Sequence, residues 1–151
     1  MDELKIRHAQ PDDLPALVRL LADDQLGAQR ESPHSSLDGY LTALDAIDAD
    51  PNNELLVACL RDEVVGTLQL TFIPGLSHQG AWRAQVEAVR VDARLRSQGL
   101  GRALMTHAIG RARERGCRLL QLTTNKVRTR AHRFYERLGF IASHEGMKLS
   151  L

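Results

Sequence analysis

The amino-acid sequence predicts an α+β fold built on a mixed β-sheet. Strands joined by short turns come first along the chain, and strand–helix–strand units follow them. The 151 residues contain no internal repeat, low-complexity tract or linker, and this length suits one domain. We therefore predict one domain over residues 1–151, with the element order β-α-α-β-β-β-α-β-α-β-β.

The first third of the chain predicts one strand and two helices. Apolar and polar residues alternate in Leu4–His8, which is typical of a strand. Apolar residues at helical spacing predict a helix over about 11–25, with Pro11 in its first turn. The polar segment 26–36 predicts a loop, and a second amphipathic pattern predicts a helix over 37–47.

The middle of the chain predicts three strands. Residues 54–60 and 64–72 are two apolar runs separated by a short charged turn, which indicates a hairpin. Residues 74–83 predict an exposed loop that holds the one tryptophan, Trp82. The third strand is predicted over about 84–91.

The last third predicts alternating helices and strands. Amphipathic patterns indicate helices over 99–115 and 129–138, and each ends at a glycine. A strand is predicted between them, over 119–124. Residues 140–142 and 145–149 are predicted to finish the sheet as short strands.

Charge is divided unevenly along the chain. Residues 1–93 hold 16 acidic and 7 basic side chains, a net charge of −9, whereas residues 94–137 hold 12 basic and 2 acidic ones, a net charge of +10. A basic segment of this kind indicates a polyanionic partner, either nucleic acid or a phosphorylated cofactor. A solvated basic face is the plain alternative.

The basic segment opens with a glycine-containing turn between a strand and a helix. Gly99 and Gly101 stand where the helix begins, and backbone N–H groups at a helix start favour phosphate. Arg96 and Arg102 flank the glycines and can add charge-assisted hydrogen bonds. A Walker loop is excluded because its Lys-Ser/Thr pair is missing, and a dinucleotide fingerprint is excluded because Leu104 replaces its third glycine.

Two motifs resemble the GNAT superfamily of N-acetyltransferases. Arg96-x-x-Gly99-x-Gly101 is similar to that superfamily's [RQ]-x-x-G-x-[GA] signature. The second block, residues 131–140, is similar to its A-x-x-F-Y-x-x-x-G-F segment. One helix and one strand separate the two blocks, as in that superfamily, and the resemblance in element order covers the whole chain.

The resemblance implies a three-layer α/β/α arrangement whose mixed, mostly antiparallel sheet splays between strands 4 and 5. Acetyl-CoA would lie in that cleft, and its phosphates would explain the basic segment without nucleic acid. The strand around Val89 would pair with the pantetheine arm. The expected cofactor-binding residues are Val89, Arg90, Val91, Arg96, Ser97, Gln98, Gly99, Leu100, Gly101, Arg102, Asn125, Arg128 and Phe134.

Two residues are expected to carry the chemistry. Glu87 precedes the cofactor segment on a core-like strand and is the candidate base for the attacking amine; an ion pair with an arginine or a solvent-facing position is the alternative. Gln85 shares its face and could contact the acceptor. The resemblance places the Tyr135 hydroxyl near the cofactor sulfur as acid or hydrogen-bond donor, and a core tyrosine is the alternative.

One position departs from the superfamily pattern. Many members have Asn three residues before the alanine of the second block, where this chain has Arg128, and Asn125 comes three residues earlier. The usual cofactor contact of that Asn is therefore open. Arg128 is expected either to meet a CoA phosphate or to be solvated.

The expected function is acetyl transfer from acetyl-CoA to a primary amine of a small molecule, such as an amino acid or a polyamine. Acidic residues early in the chain favour a cationic acceptor, whereas Arg30, Arg83 or Arg90 could hold a carboxylate. Helices near Arg30 and Glu31, the Trp82 loop and the last strands would form the acceptor site. The alternatives are a non-catalytic acyl-CoA-binding regulatory module, a protein lysine or N-terminal acetyltransferase, and a nucleic-acid-binding domain.

The remaining expectations concern environment and partners. Cys59 and Cys117 show no metal or disulfide spacing, so we expect buried free thiols and a cytoplasmic protein. The polar N-terminus and the lack of a long apolar run predict neither a signal peptide nor a membrane span. The spacing of the histidines predicts no metal site. No nucleic-acid partner is expected. The resemblance is compatible with a homodimer.

Overall fold

The computed structural model describes residues 3–151, so Met1 and Asp2 of the predicted domain lie outside the described residues. The described chain divides into two compact units. The first ends at Gln121, and the second runs from Leu122 to Leu151. The expectation that residues 1–151 form one domain stays a prediction.

Five strands and six helices make up the described part of the chain. The strands are β1 (Leu4–His8), β2 (Asn53–Leu60), β3 (Glu63–Ile73), β4 (Arg83–Val91) and β5 (Leu119–Leu122). The helices are α1 (Leu14–Ala22), α2 (Gln25–Arg30), α3 (Asp38–Ala49), the single turn α4 (Ser77–Gly80), α5 (Leu100–Glu114) and α6 (Thr129–Arg137).

The five strands form one sheet in the order β1-β2-β3-β4-β5. The first four strands pair antiparallel with their neighbours, and β5 runs parallel to β4. This mixed, mostly antiparallel sheet confirms the predicted fold class. The parallel pair is joined through α5, as a parallel connection requires.

Helices of the first unit cover both faces of the sheet. On one face α5 approaches β3 so closely that a Cβ built on Gly66 would lie 3.0 Å from Leu104 Cδ1. On the other face α1 and α3 pack on β2, where Leu17, Leu44 and Val57 belong to one buried cluster. Successive residues of a strand point to opposite faces, so β3 presents one alternate set to each helical layer.

The predicted loop over 26–36 was wrong in its first part, because α2 begins at Gln25. Asp24 is the N-cap of α2, and its carboxylate accepts a hydrogen bond from the Gly27 N–H. That bond satisfies one of the unpaired donors at a helix start. The helix predicted over 11–25 is correspondingly shorter and ends at Ala22.

The two predicted C-terminal strands were also wrong. Residues 140–151 have no strand, and residues 141–151 are all exposed. A run of apolar residues becomes a strand only when another strand satisfies its backbone groups. β5 likewise ends at Leu122, two residues before the end of the predicted strand.

Candidate active site

The turn between β4 and α5 is held in an unusual backbone conformation. Ser97 has a φ of 65° and Gly99 a φ of 86°, both in the left-handed region. Gly99 is the N-cap of α5, and glycine adopts this conformation without a Cβ penalty. Leu100 is buried beneath the turn, whereas residues 96–99 are exposed. The turn is therefore anchored in the core by Leu100, and residues 96–99 are accessible to a ligand.

The start of α5 can accept an anion. Within residues 3–151, no side chain caps this helix start, and its first turn holds no acidic residue. The N–H groups of Leu100, Gly101 and Arg102 therefore lack partners within the helix and point outward from its start. The positive end of the helix dipole lies at the same place. Arg96 and Arg102 are exposed beside them. These groups suit a pyrophosphate.

Arg94, although in the same basic segment, is committed to acidic neighbours. Its Nη2 lies 2.7 Å from Asp92 Oδ2 and 2.8 Å from Glu63 Oε1. Hydrogen bonds from the Arg94 side chain and backbone lower the pKa of the Asp92 carboxyl. Arg94 therefore adds less positive charge to the turn than Arg96 or Arg102.

A β-bulge interrupts β4 just before this turn. Gln69 of β3 pairs with Glu87, but Thr67, two residues away, pairs with Arg90. Two residues of β4 therefore stand opposite one residue of β3, and Ala88 in the bulge has a φ of 53°. Bulges redirect side chains and are frequent beside active sites.

The bulge brings Glu87 and Arg90 to one face of the sheet. Their partners Gln69 and Thr67 are two residues apart and share a face, so Glu87 and Arg90 share it as well. Arg90 Nη1 donates to the Val89 carbonyl at 2.9 Å, and its Nε lies 3.8 Å from Asp24 Oδ2. Arg90 is thus held inside the fold rather than offered to solvent.

β4 extends beyond the strand that lies beside it. Arg118 N–H donates to the Trp82 carbonyl at 2.9 Å, and Gln121 lies level with Gln85. β5 has 4 residues and β4 has 9. The backbone of residues 87–91 on that side therefore has no strand partner within the described chain, and it could pair with an extended ligand.

Gln85 holds the Glu87 carboxylate, and Gln121 in turn holds Gln85. Gln121 Nε2 donates to Gln85 Oε1 at 2.9 Å, and Gln85 Nε2 donates to Glu87 Oε1 at 2.8 Å. Glu87 is exposed, in agreement with the solvent-facing alternative, and its side chain bonds to Gln85 rather than to an arginine; its role as the base stays a prediction. Gln85, which could contact the acceptor, bonds to these two partners, and its contact with the acceptor stays a prediction.

In the second unit an aromatic cluster surrounds Tyr135. Its ring makes edge-to-face contacts with Phe134, at 5.1 Å between centroids, and with Phe140, at 5.8 Å. The Phe140 N–H donates to the Tyr135 carbonyl at 3.0 Å, which closes the end of α6. The tyrosine is half-buried.

Asn125 and Arg128 lie in the turn before α6. The Asn125 carboxamide oxygen accepts from the Val127 N–H at 3.1 Å, and the Asn125 carbonyl accepts from the Arg128 N–H at 2.9 Å. Asn125 therefore shapes the turn with its oxygen, and its amide N–H groups are the donors that it could offer a ligand. Arg128 is half-buried at the N-cap of α6.

The first unit contains a cavity of about 160 Å³ between α1, α3 and the sheet, and Ala88 forms part of its wall. A second cavity, of about 220 Å³, lies beside Trp82, Arg83 and Arg118. Glu31, expected near the acceptor, accepts a hydrogen bond from the Tyr40 hydroxyl at 2.9 Å. The last strands, expected to complete the acceptor site, do not form.

Other catalytic groups receive little support. Burial raises the pKa of both thiols, Cys59 and Cys117, which makes thiolate chemistry unfavourable. Cys59 is buried, but Cys117 is only half-buried, in contrast to the prediction. Across residues 3–151, no three His, Cys, Asp or Glu side chains are grouped to hold a metal ion. None of the helices in that range combines the length and apolar character needed to cross a bilayer.

Comparison with known proteins shows which class of protein has this fold and sequence. The chain is 31% identical to the aminoalkylphosphonate N-acetyltransferase of Salmonella typhimurium, over 95% of this chain and 89% of that protein. A Trypanosoma brucei acetyltransferase superposes with a TM-score of 0.81 at 27% identity, covering 98% of this chain and 99% of that one. A Bacillus halodurans protein described as a transcriptional regulator superposes with a TM-score of 0.94 at 51% identity, covering 98% and 99%.

The model of the acetyltransferase (GNAT) family matches residues 14–140, and the chain belongs to that family. It is an acetyl-CoA-dependent N-acetyltransferase. The resemblance found in the two sequence motifs is therefore confirmed. Enzymes of this family use acetyl-CoA as the acyl donor.

Proposed function

We propose that this enzyme transfers the acetyl group of acetyl-CoA directly to the primary amine of a small molecule. One observation carries the proposal: the exposed, uncapped start of α5 follows a bulged strand whose face bears a held carboxylate, Glu87. The turn supplies anion-binding groups, and the strand supplies a base. In acyl transfer from acetyl-CoA, the anion-binding groups would hold the phosphates of the donor, and the base would take up the proton of the amine.

The residues at the turn fit CoA phosphates. The N–H groups of Leu100, Gly101 and Arg102 would hold the pyrophosphate, with Ser97, Gln98 and Gly99 shaping the approach. Arg96 and Arg102 would add charge. The strand edge at Val89, Arg90 and Val91 would hold the pantetheine arm, and Asn125, Arg128 and Phe134 stay proposed cofactor contacts.

Acetyl-CoA supplies an activated acetyl thioester to the site. Glu87 accepts a proton from the acceptor, directly or through water, because an ammonium group has no lone pair with which to attack. Gln85 donates to Glu87 Oε1 and so keeps that carboxylate in one orientation. Tyr135 offers its hydroxyl to the departing sulfur, where a hydrogen bond suffices since a thiol is a stronger acid than a phenol.

The acceptor class is proposed from the chemistry of the site and from relatives. The Salmonella relative is named for aminoalkylphosphonates, which combine a primary amine with a short carbon chain. A small amine of that kind is our first candidate, and amino acids and polyamines remain in the panel. A cytoplasmic location and a homodimer stay predictions.

The test is calorimetric titration with acetyl-CoA, followed by a free-thiol release assay over an amine panel. Binding together with amine-dependent thiol release supports the proposal. Binding without release from any amine, peptide lysine or peptide N-terminus would indicate a regulatory acyl-CoA-binding protein. Absence of binding would refute the cofactor site.

A further inference from the structure

The cavity between α1, α3 and the sheet has an apolar wall. Aliphatic side chains of the two helices, such as Leu17, Leu21 and Ile47, form most of its lining, and Leu55 of β2 adds to it. Its volume is about 160 Å³. An apolar cavity of roughly 150 Å³ is large enough to bind benzene.

Polar side chains in the wall direct their hydrogen bonds elsewhere. The Thr67 hydroxyl donates to the Leu56 carbonyl at 2.7 Å. The Tyr40 hydroxyl donates to Glu31 at 2.9 Å and accepts from the Ser32 N–H at 3.1 Å. These groups therefore present carbon atoms to the cavity.

Gln69, a further polar residue of the wall, is likewise engaged. Its Nε2 donates to Asn53 Oδ1 at 3.2 Å. The lining contains no charged side chain within the part of the chain that the structure describes. An ammonium, phosphonate or carboxylate inside the cavity would lose its hydration without gaining a charged partner.

The cavity lies beside the proposed base. Ala88 forms part of its wall and directly follows Glu87. Gln69, also in the wall, is the register partner of Glu87 across the β3–β4 ladder. Ala43 and Ala88 are lining residues with exposed surfaces, so the cavity opens toward solvent.

We infer that this cavity binds a compact apolar substituent of the acceptor, so that the acceptors are arylalkyl or branched alkyl primary amines. The amine lies at the opening beside Glu87, and a ring or chain of about six carbons lies inside. Any phosphonate or second ammonium group of an acceptor lies outside the cavity. The inference rests on the proposed acetyl transfer and deepens it.

The experiment measures kcat/KM by thiol release, at saturating acetyl-CoA and corrected to the neutral amine, on the full chain. The acceptors are ethylamine, butylamine, isoamylamine, benzylamine and 1,4-diaminobutane. We expect kcat/KM to rise by about fourfold per buried methylene. Diaminobutane should fall at least about tenfold below butylamine, its matched analogue, because its second ammonium cannot be paired.

Ala43→Leu tests the cavity without touching Glu87. Ala43 is exposed on α3, so the helix tolerates leucine while its side chain fills the opening. We expect benzylamine to lose about tenfold in kcat/KM and ethylamine to change by less than about twofold. Ala46→Leu, an exposed position on the same helix outside the cavity wall, is the matched control.

The results separate two failures. Diaminobutane equal to butylamine, or an Ala43→Leu variant that slows every amine alike, would overturn the apolar subsite while leaving acetyl transfer intact. Thiol release from no amine, despite acetyl-CoA binding, would overturn the proposed function and this inference together.

Discussion

Replacing Arg111 with methionine should destabilise the protein, because it removes the ion-pair partner of a buried carboxylate, Glu54. The Glu54 side chain on β2 is 8% exposed, and Arg111 on α5 is 29% exposed. Arg111 Nη2 and Nε donate to Glu54 at 2.5 and 3.0 Å. This bidentate pair fastens α5, and with it the turn between β4 and α5, to the sheet.

The expected magnitude follows from the burial of Glu54. Burial by itself raises the pKa of the Glu54 carboxyl, but the hydrogen bonds and charge of Arg111 outweigh burial and lower it. Removing one partner of a buried pair costs about 3–5 kcal/mol. Since Arg111 is partly exposed, we expect a loss of about 2–4 kcal/mol in the free energy of unfolding.

Urea denaturation at pH 7 measures this loss, with the exposed Arg113→Met on the same helix as control. The double variant Glu54→Leu, Arg111→Met removes both charges and should return to within about 1 kcal/mol of the wild type. A single variant within about 0.5 kcal/mol of the wild type would refute the reasoning. A double variant as unstable as the single one would also refute it.

The same pair predicts a pH dependence with a definite sign. The folded-state pKa of Glu54 is lowered, so its contribution is present above the unfolded pKa and is lost as pH falls through the folded value. In Arg111→Met, burial acts without the guanidinium, so protonation of Glu54 at low pH relieves the variant. The stability gap between wild type and variant should therefore narrow on acidification.

Three further predictions concern activity. Gln85→Leu removes the donor to Glu87 and should lower kcat/KM by about 3–10-fold at pH 7, with unchanged affinity for acetyl-CoA; an unchanged kcat/KM would count against a positioning role. Gly99→Glu should abolish acetyl-CoA binding in calorimetry, whereas Gly110→Glu, inside α5 with open space where its Cβ would lie, should bind normally; two equal affinities would contradict the phosphate site. Tyr135→Phe should reduce turnover by about tenfold with unchanged cofactor affinity, and loss of affinity alone would contradict the hydroxyl's role.

The sequence was informative where a local signal determines local structure. The turn before α5 was predicted at Gly99, and the structure has Gly99 as its N-cap. The pattern of β1 also matched its observed bounds. Asp24 and Gly27 carry an N-cap pattern that could have predicted α2, but the polar character of the segment favoured a loop.

Features that depend on strand pairing could not be predicted in this way. Nothing in the residue type of Ala88 indicates a positive φ, since alanine rarely adopts it. The contact of Gln121 with Gln85 depends on β5 lying beside β4. The two C-terminal strands failed for the converse reason, because their apolar pattern is present but no described strand pairs with them.

The bulge at Ala88 divides β4 into two stretches whose side chains are constrained separately. Before the bulge, every second side chain must pack in the core, since Ala84 and Val86 are buried. After it the alternation is reset, so residues 89–91 can change without forcing a change at 84 or 86. A designer could therefore vary residues 89–91 separately, whereas deleting Ala88 would join the two stretches into one regular alternation, with Val89 opposite Leu68 and Arg90 still opposite Thr67.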